Sequence, residues 1–258
     1  MMGGLSTAIR TLTILPAPGE PGGKMASSLP WFPLVGGAIG SILLGLMILL
    51  EDLASGHWPG GAAAVVVVAG IILTGALHLD GLADWADGFG GGRDREKTLA
   101  IMKDSSTGAF GAVALISVLL LKWVALSRLA DSGTQLWIIV ACVISRTMMV
   151  ELAVWLPYAR TEGGTGATIV EGAKKWHRYL VLLLALAILT AFAGAAGAQA
   201  LVAGWLVCRG FGYLCLRRVG GVTGDLLGAG SEIVETLILV LAALPGRELP
   251  QLSGWVFF

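Results

Sequence analysis

The stretch HLDGLADWADG places Asp80, Asp84 and Asp87 within eight positions. On an α-helix they follow i, i+4 and i+7, so the three carboxylates fall within about 60° of one another on one face. Negative charges that close repel strongly unless a cation sits among them. Oxygen ligands suit a hard divalent ion, Mg²⁺ above all, and the lack of a His and Cys cluster argues against zinc. Asp104, in KDSSTG, supplies a fourth carboxylate downstream. Mg²⁺ usually keeps substrate phosphates among its ligands, so the pattern points to chemistry on a diphosphate. The competing reading is that these acids cap helices and face solvent. It explains a single aspartate better than a one-face set.

Neighbouring residues extend the candidate site. His78 precedes Asp80 by two positions and is suited to hydrogen-bond a ligand carboxylate. Lys103 and Ser105 flank Asp104, and the lysine suits a diphosphate oxygen. The GFGGG run, 88–92, fits either a hinge or a backbone approaching phosphate. Arg93, Arg95 and Lys97 alternate with Asp94 and Glu96 in the manner of a solvated face. Charges also fall within apolar runs: Lys122, Arg146, Glu151, Arg209, Glu232 and Glu235. Charge inside a membrane is costly and marks function unless it is paired. Lys122 is expected to snorkel from the outer end of its helix. Arg146 and Glu232 are expected to form an ion pair locking two helices, or else to line a polar cavity continuous with the aspartates. Asp225 and Glu232 are seven apart and share a helix face. Cys142, Cys208 and Cys215 read as small buried hydrophobes, and His57 and His177 as ordinary loop residues.

The elements that hold these residues follow from composition. Of the 258 residues, 56% are hydrophobic and 13% charged, where a soluble domain averages about 25% charged. Apolar runs long enough to cross a bilayer predict an all-α, polytopic membrane bundle forming one domain over 1–258. Seven spans are predicted: Pro30–Leu50, Ala62–Leu79, Ser106–Leu126, Gln135–Leu156, Tyr179–Ala198, Gln199–Leu216 and Asp225–Leu244. A tight turn near Gly197 separates the fifth from the sixth. Leu5–Leu15 is short and amphipathic and suits the interface, and Pro16, Pro18 and Pro21 then break the chain. No signal peptide is read at the N-terminus. With seven spans, alternate segments carry twelve Lys and Arg on one side and two on the other. The positive-inside rule then predicts a cytoplasmic N-terminus and puts the aspartate-rich loop at the inner face. Lys plus Arg equals Asp plus Glu, so net charge selects no partner.

Seven stretches, in order across nearly the whole chain, carry a resemblance. They are LTILPAP after Thr11, FPLVGG (32–37), HLDGLADWADG (78–88), IMKDSSTGAFG (101–111), SRTMMVE (145–151), YARTEG (158–163) and GGVTGDLLGAGSEIVE (220–235). The chain resembles the adenosylcobinamide-GDP ribazoletransferases, also called cobalamin-5′-phosphate synthases. The resemblance implies a multi-pass enzyme of the cell inner membrane, working at its cytoplasmic side in a late step of vitamin B12 assembly. It joins adenosylcobinamide-GDP to α-ribazole, or to its 5′-phosphate, and releases GMP with Mg²⁺ as cofactor. The family is similar in turn to the CDP-alcohol phosphotransferases, whose DxxDG motif matches Asp84, Asp87 and Gly88. The roles implied are Mg²⁺ binding by Asp80, Asp84, Asp87 and Asp104. Asp87 and Asp104 are the catalytic candidates, Asp104 as a further ligand or as general base. His78, Lys103, Ser105, Arg146, Asp225 and Glu232 are the substrate-binding candidates, Lys103 and Arg146 for phosphate. Expected partners are the two small-molecule substrates and the lipid bilayer, with no nucleic acid. A homo-oligomer or contact with other enzymes of the pathway stays open. The alternatives are a CDP-alcohol phosphotransferase of phospholipid synthesis and an ion-coupled transporter.

Overall fold

In a computed structural model the chain is described over residues 2–17 and 25–245. Pro18, Pro21, Lys24 and Arg247, which entered the loop and orientation readings, lie outside them. The described helices are α1 (Met2–Leu12), α2 (Phe32–Leu53), α3 (Pro59–Leu73), α4 (Leu77–Gly91), α5 (Arg95–Ile101), α6 (Ala109–Ser132), α7 (Trp137–Trp155), α8 (Thr165–Gly172), α9 (Lys175–Val219) and α10 (Gly224–Ala243). A 3₁₀ segment, Met25–Trp31, leads into α2. Among the described residues no strand forms; one isolated bridge joins Tyr158 to Val222.

Helix α7 is the central post. Every residue from Ile138 to Ala153 is buried, because α2, α9 and α10 pack around it. A helix that is apolar nearly all round belongs in such a position. The outer helices do the reverse. On α6, Val113, Ile116, Leu120 and Val124 are exposed although large and apolar. Exposed apolar area on that scale requires lipid, not water, as the surrounding medium.

Five helices are long and apolar enough to cross a membrane, and α3 with α4 makes a sixth candidate as a pair bent by 89°. The expected straight span over Ala62–Leu79 is thus broken. Gly75 and Ala76 both take positive φ, +61° and +57°, and turn the chain out of line. For Ala76 that conformation costs about 1–2 kcal/mol, so packing of α4 against α10 and α6 must hold it.

Helix α9 has 45 residues, which as one rod would measure about 68 Å, twice a hydrocarbon core of about 30 Å. It does not run straight. Gly194 has φ 53° and ψ −138°, outside helical geometry and open to glycine at no steric cost. Beyond it Gly197 lies so close to the Leu189 carbonyl that a Cβ there would sit 2.4 Å from the oxygen. Leu182, Leu183 and Leu186 share a groove with Leu201, Val202 and Trp205. Such contacts require a hairpin, so α9 folds back on itself as two arms, as expected, and the count reaches seven where the bent α3–α4 pair makes one span. The turn falls at Gly194, three residues before the expected position. Helix α1 has 11 residues, too few to cross, and packs on the 3₁₀ segment.

One end of the bundle collects the long connections. There Ala159 N–H donates to Val222 O at 2.9 Å and Val222 N–H to Pro157 O at 2.9 Å. Arg95 donates to Val219 O at 2.9 Å and Ala159 O at 2.7 Å. Arg218 donates to Phe89 O at 3.2 Å and also to Gly92 O. These bonds tie the ends of α4, α7 and α9 and the start of α10 into one platform. Arg95 is therefore a tie between segments, although it and its neighbours from Arg93 to Lys97 are exposed as a solvated face should be.

Candidate active site

The platform presents the face of α4 that bears the acids. Gly81 packs so tightly on the start of α10 that a Cβ would lie 2.4 Å from Asp225 O. Only glycine permits that approach, and it brings Asp80 and Asp84 beside Asp225. Asp84 is half-buried and lies within the fields of Asp225, Asp80, Arg160 and Asp87. Among the described residues neither Asp80 nor Asp84 accepts a hydrogen bond or forms an ion pair. Carboxylates crowded by like charge and left without donors are suited to receive a cation or a donor from a ligand.

Asp87 behaves differently. Its Oδ2 accepts from Gly108 N–H at 2.7 Å and its Oδ1 from Gly111 N–H at 2.9 Å. Helix α6 has no capping side chain of its own at Gly108, so Asp87 caps it from the neighbouring helix. Both of its oxygens are engaged by amides that would otherwise be orphaned. Asp104 is exposed on the turn before α6, where its Oδ1 accepts from Ser106 N–H at 2.9 Å. The Ser106 hydrogen bonds hold its carboxyl below the usual range. Ser105 is exposed beside it.

A cleft of about 300 Å³ is lined by Arg95, Glu96, Leu99, Lys103, Arg160 and Glu162 among others, and Arg160 is its link to the acids. Lys103 Nζ lies 2.5 Å from Glu162 Oε2, both side chains being exposed, and the lysine holds the Glu162 carboxyl below its usual range. Arg160 bridges cleft and acids. Its Nη2 donates to Asp225 Oδ2 at 2.8 Å and to Met102 O at 3.2 Å. Its Nε is buried without a partner. Sequence reading passed over Arg160. It stands in YARTEG, between two spans, and the one available signal is an arginine two residues before an acid in a loop motif.

Three expected site residues lie elsewhere. Lys122 does not snorkel: its Nζ is 2.6 Å from Glu232 Oε2 and 2.7 Å from Glu235 Oε1, inside the bundle. Arg146 pairs with Glu235 rather than Glu232, and Ser145 Oγ donates to Glu235 at 3.2 Å. Glu232 and Glu235 are three apart on α10, so one helix face turns both acids toward α6 and α7. Arg146 and Glu232 therefore belong to a neutral network that lines a separate cavity within the bundle, together with Lys122 and Glu235, and do not line the cleft. His78 is buried with both ring nitrogens unpaired, within the fields of Arg146, Glu235 and Lys122. It faces that network and not a carboxylate of the α4 set. Glu151 is likewise paired, with Arg178 at 2.6 Å and Arg209 at 3.4 Å.

Among the described residues no three His, Cys, Asp or Glu side chains converge as a metal shell. The four-aspartate set expected from sequence is thus not assembled, because Asp87 turns to α6 and Asp104 to its own loop. Asp80 and Asp84 keep uncommitted oxygens, two carboxylates that a cation could share with ligand phosphates.

A family model described as cobalamin-5-phosphate synthase matches residues 4–243. The adenosylcobinamide-GDP ribazoletransferase of Chlorobaculum parvum is 45% identical, covering 95% of this chain and 96% of its own length. That of Chlorobium chlorochromatii is 47% identical over 95% and 97%, and that of Chlorobaculum tepidum 46% over 95% and 96%. No solved structure matches the chain.

Proposed function

The chain belongs to the cobalamin-5-phosphate synthase family, and from that membership together with the geometry of its loop-rich end we propose that it is an adenosylcobinamide-GDP ribazoletransferase. It transfers the adenosylcobinamide-phosphate group to α-ribazole or α-ribazole 5′-phosphate. The acceptor's ribose hydroxyl attacks the phosphorus on the cobinamide side of the diphosphate. A new P–O bond forms, the bond to the bridging oxygen breaks, and GMP leaves with that oxygen. The hydroxyl proton passes to a carboxylate. Positioning and charge neutralisation do most of the work in such a transfer.

The observation that carries the reading is Arg160, which lines the cleft with Arg95 and Lys103, donates to Asp225 and lies within reach of unpaired Asp84. At about 300 Å³ the cleft suits the phosphates and ribose of a nucleotide, with the bulk of the donor outside. Lys103 and Arg160 bind phosphate oxygens there. Asp80 and Asp84 would hold Mg²⁺, which when bound supplies neutralisation of the diphosphate charge. Asp87 positions the start of α6 beneath them. The twelve-to-two asymmetry of Lys and Arg supports the inner membrane with this end in the cytoplasm. The direct test supplies purified protein with adenosylcobinamide-GDP, α-ribazole and Mg²⁺ and follows GMP. Release of GMP that needs both acceptor and Mg²⁺ is expected. Its absence from folded protein overturns the assignment.

A further inference from the structure

The Arg160–Asp225 pair sits where the cleft meets the acids, and its geometry is that of a contact made to be exchanged. A guanidinium meets a carboxylate most firmly through two parallel N–H bonds. Here only Nη2 reaches Asp225, at 2.8 Å, and the same nitrogen also serves Met102 O at 3.2 Å. Nε is left buried and unpaired, which is costly for a charged donor. The backbone beneath is fixed on both sides of the pair, since the Tyr158–Val222 bridge binds the segment before Arg160 to the segment before Asp225. Any exchange must therefore come from the Arg160 side chain, and that side chain already lines the cleft. On the other side, Asp225 is the strongest like-charge neighbour of Asp84.

We propose that Arg160 is an exchangeable latch. It holds Asp225, turns to the substrate's diphosphate when the nucleotide enters the cleft, and so releases Asp225 to join Asp80 and Asp84. This rests on the reaction proposed above and explains a feature that reading leaves open, namely why Asp225 is tied to a cleft arginine while Asp80 and Asp84 near it are uncommitted. That third carboxylate becomes available when the diphosphate arrives. The two events favour each other, because Arg160 bonds the ligand or Asp225 but not both in full. Asp225 is then a positioning residue that competes with the ligand for Arg160.

The test is GDP binding to the purified, full-length protein in detergent without divalent ions, measured by titration calorimetry, with folding checked by thermal unfolding. Asp225→Asn removes the competitor and is expected to bind GDP about fivefold more tightly than wild type. Arg160→Ala is expected to bind about tenfold more weakly. In the Arg160→Ala background the Asp225→Asn tightening should vanish, because no latch remains to be freed. Asp225→Ser removes the same charge and serves if Asp225→Asn does not fold. A merely structural pair predicts equal loss of thermal stability in both single variants and wild-type GDP affinity in Asp225→Asn. That result overturns the latch, as does tightening of equal size with and without Arg160, which would mark simple removal of a repelling charge. Either failure leaves GMP release by the wild-type enzyme intact. A wrong reaction assignment shows instead as no GMP release from a protein whose latch variants behave as expected.

Discussion

Two charged regions of this molecule obey opposite rules. In the bundle interior Lys122, Arg146, Glu232 and Glu235 are buried, matched in number and bonded to one another. At the loop-rich end Asp80 and Asp84 have no donors, Asp225 has one shared guanidinium and the Thr223 hydroxyl, and Lys103 has only an exposed partner. The same residue types serve both. What separates them is completion: an interior charge survives in lipid only when its counter-charge is present in the chain. At the end, solvent allows the counter-charge to be missing until a ligand brings it. The difference predicts that interior variants fail in folding and end variants fail in turnover.

The largest effect is expected inside. Lys122→Met leaves Glu232 and Glu235 with one cation between them and should lower stability by about 3–5 kcal/mol, seen as loss of a folded fraction in detergent. Lys122→Met with Glu232→Gln restores neutrality and should recover most of it. If the single variant melts with wild type, the network does not hold the helices together.

Next comes Asp84→Asn. It removes an uncommitted carboxylate from the α4 face without breaking any protein hydrogen bond. Turnover in the GMP assay should fall by about a hundredfold or more, the scale of one group acting in the transition state, with an unchanged melting temperature. Wild-type turnover at saturating Mg²⁺ would remove Asp84 from the site.

These two regions also mark how far the sequence could be read. The bundle was legible because a lipid solvent leaves the chain few choices: apolar length sets the spans, and basic loops alternate. The hairpin in α9 was visible as one run too long for one crossing. The bend at Gly75 and Ala76 was not, because an apolar pattern carries no direction and a glycine inside it is common in membrane helices. At the site, the i, i+4, i+7 spacing located the acidic face of α4. It could not say that Asp87 would be taken by Gly108 and Gly111, since a cap supplied across helices leaves no local pattern. Arg146 and Lys122 were misplaced for a related reason: periodicity puts a charge on a face, and only packing says which helix lies opposite.

Asp87 lies between the two regimes, and a moderate effect is expected there. Asp87→Ala strips two amides of their acceptor at the start of α6, which should cost about 0.5–2 kcal/mol, the range for loss of a helix cap. Thermal unfolding gives the measure. Asp87→Asn keeps an acceptor oxygen and should recover part of the stability and much of the turnover. An Asn variant that folds as wild type and turns over no better than Asp84→Asn would instead make Asp87 a direct participant.

The smallest effect belongs to Lys103, and it sharpens the comparison most finely. Its bond to Glu162 joins two exposed side chains, a pairing that water and salt screen and that contributes little to folding. Lys103→Ala should therefore melt with wild type. The lysine nevertheless lines the cleft, and an ammonium facing a diphosphate contributes to binding before the reaction begins. The KM for adenosylcobinamide-GDP should rise severalfold with kcat nearly unchanged, the pattern of an interaction made equally in ground and transition states. Raising the ionic strength should shrink the gap between variant and wild type, since screening weakens what the lysine contributes. Glu162→Gln should do the opposite and lower KM, because it frees Lys103 for the substrate. A Lys103→Ala enzyme with wild-type KM would mean that the phosphates lie deeper, on Arg160, and that the exposed pair belongs to the surface alone.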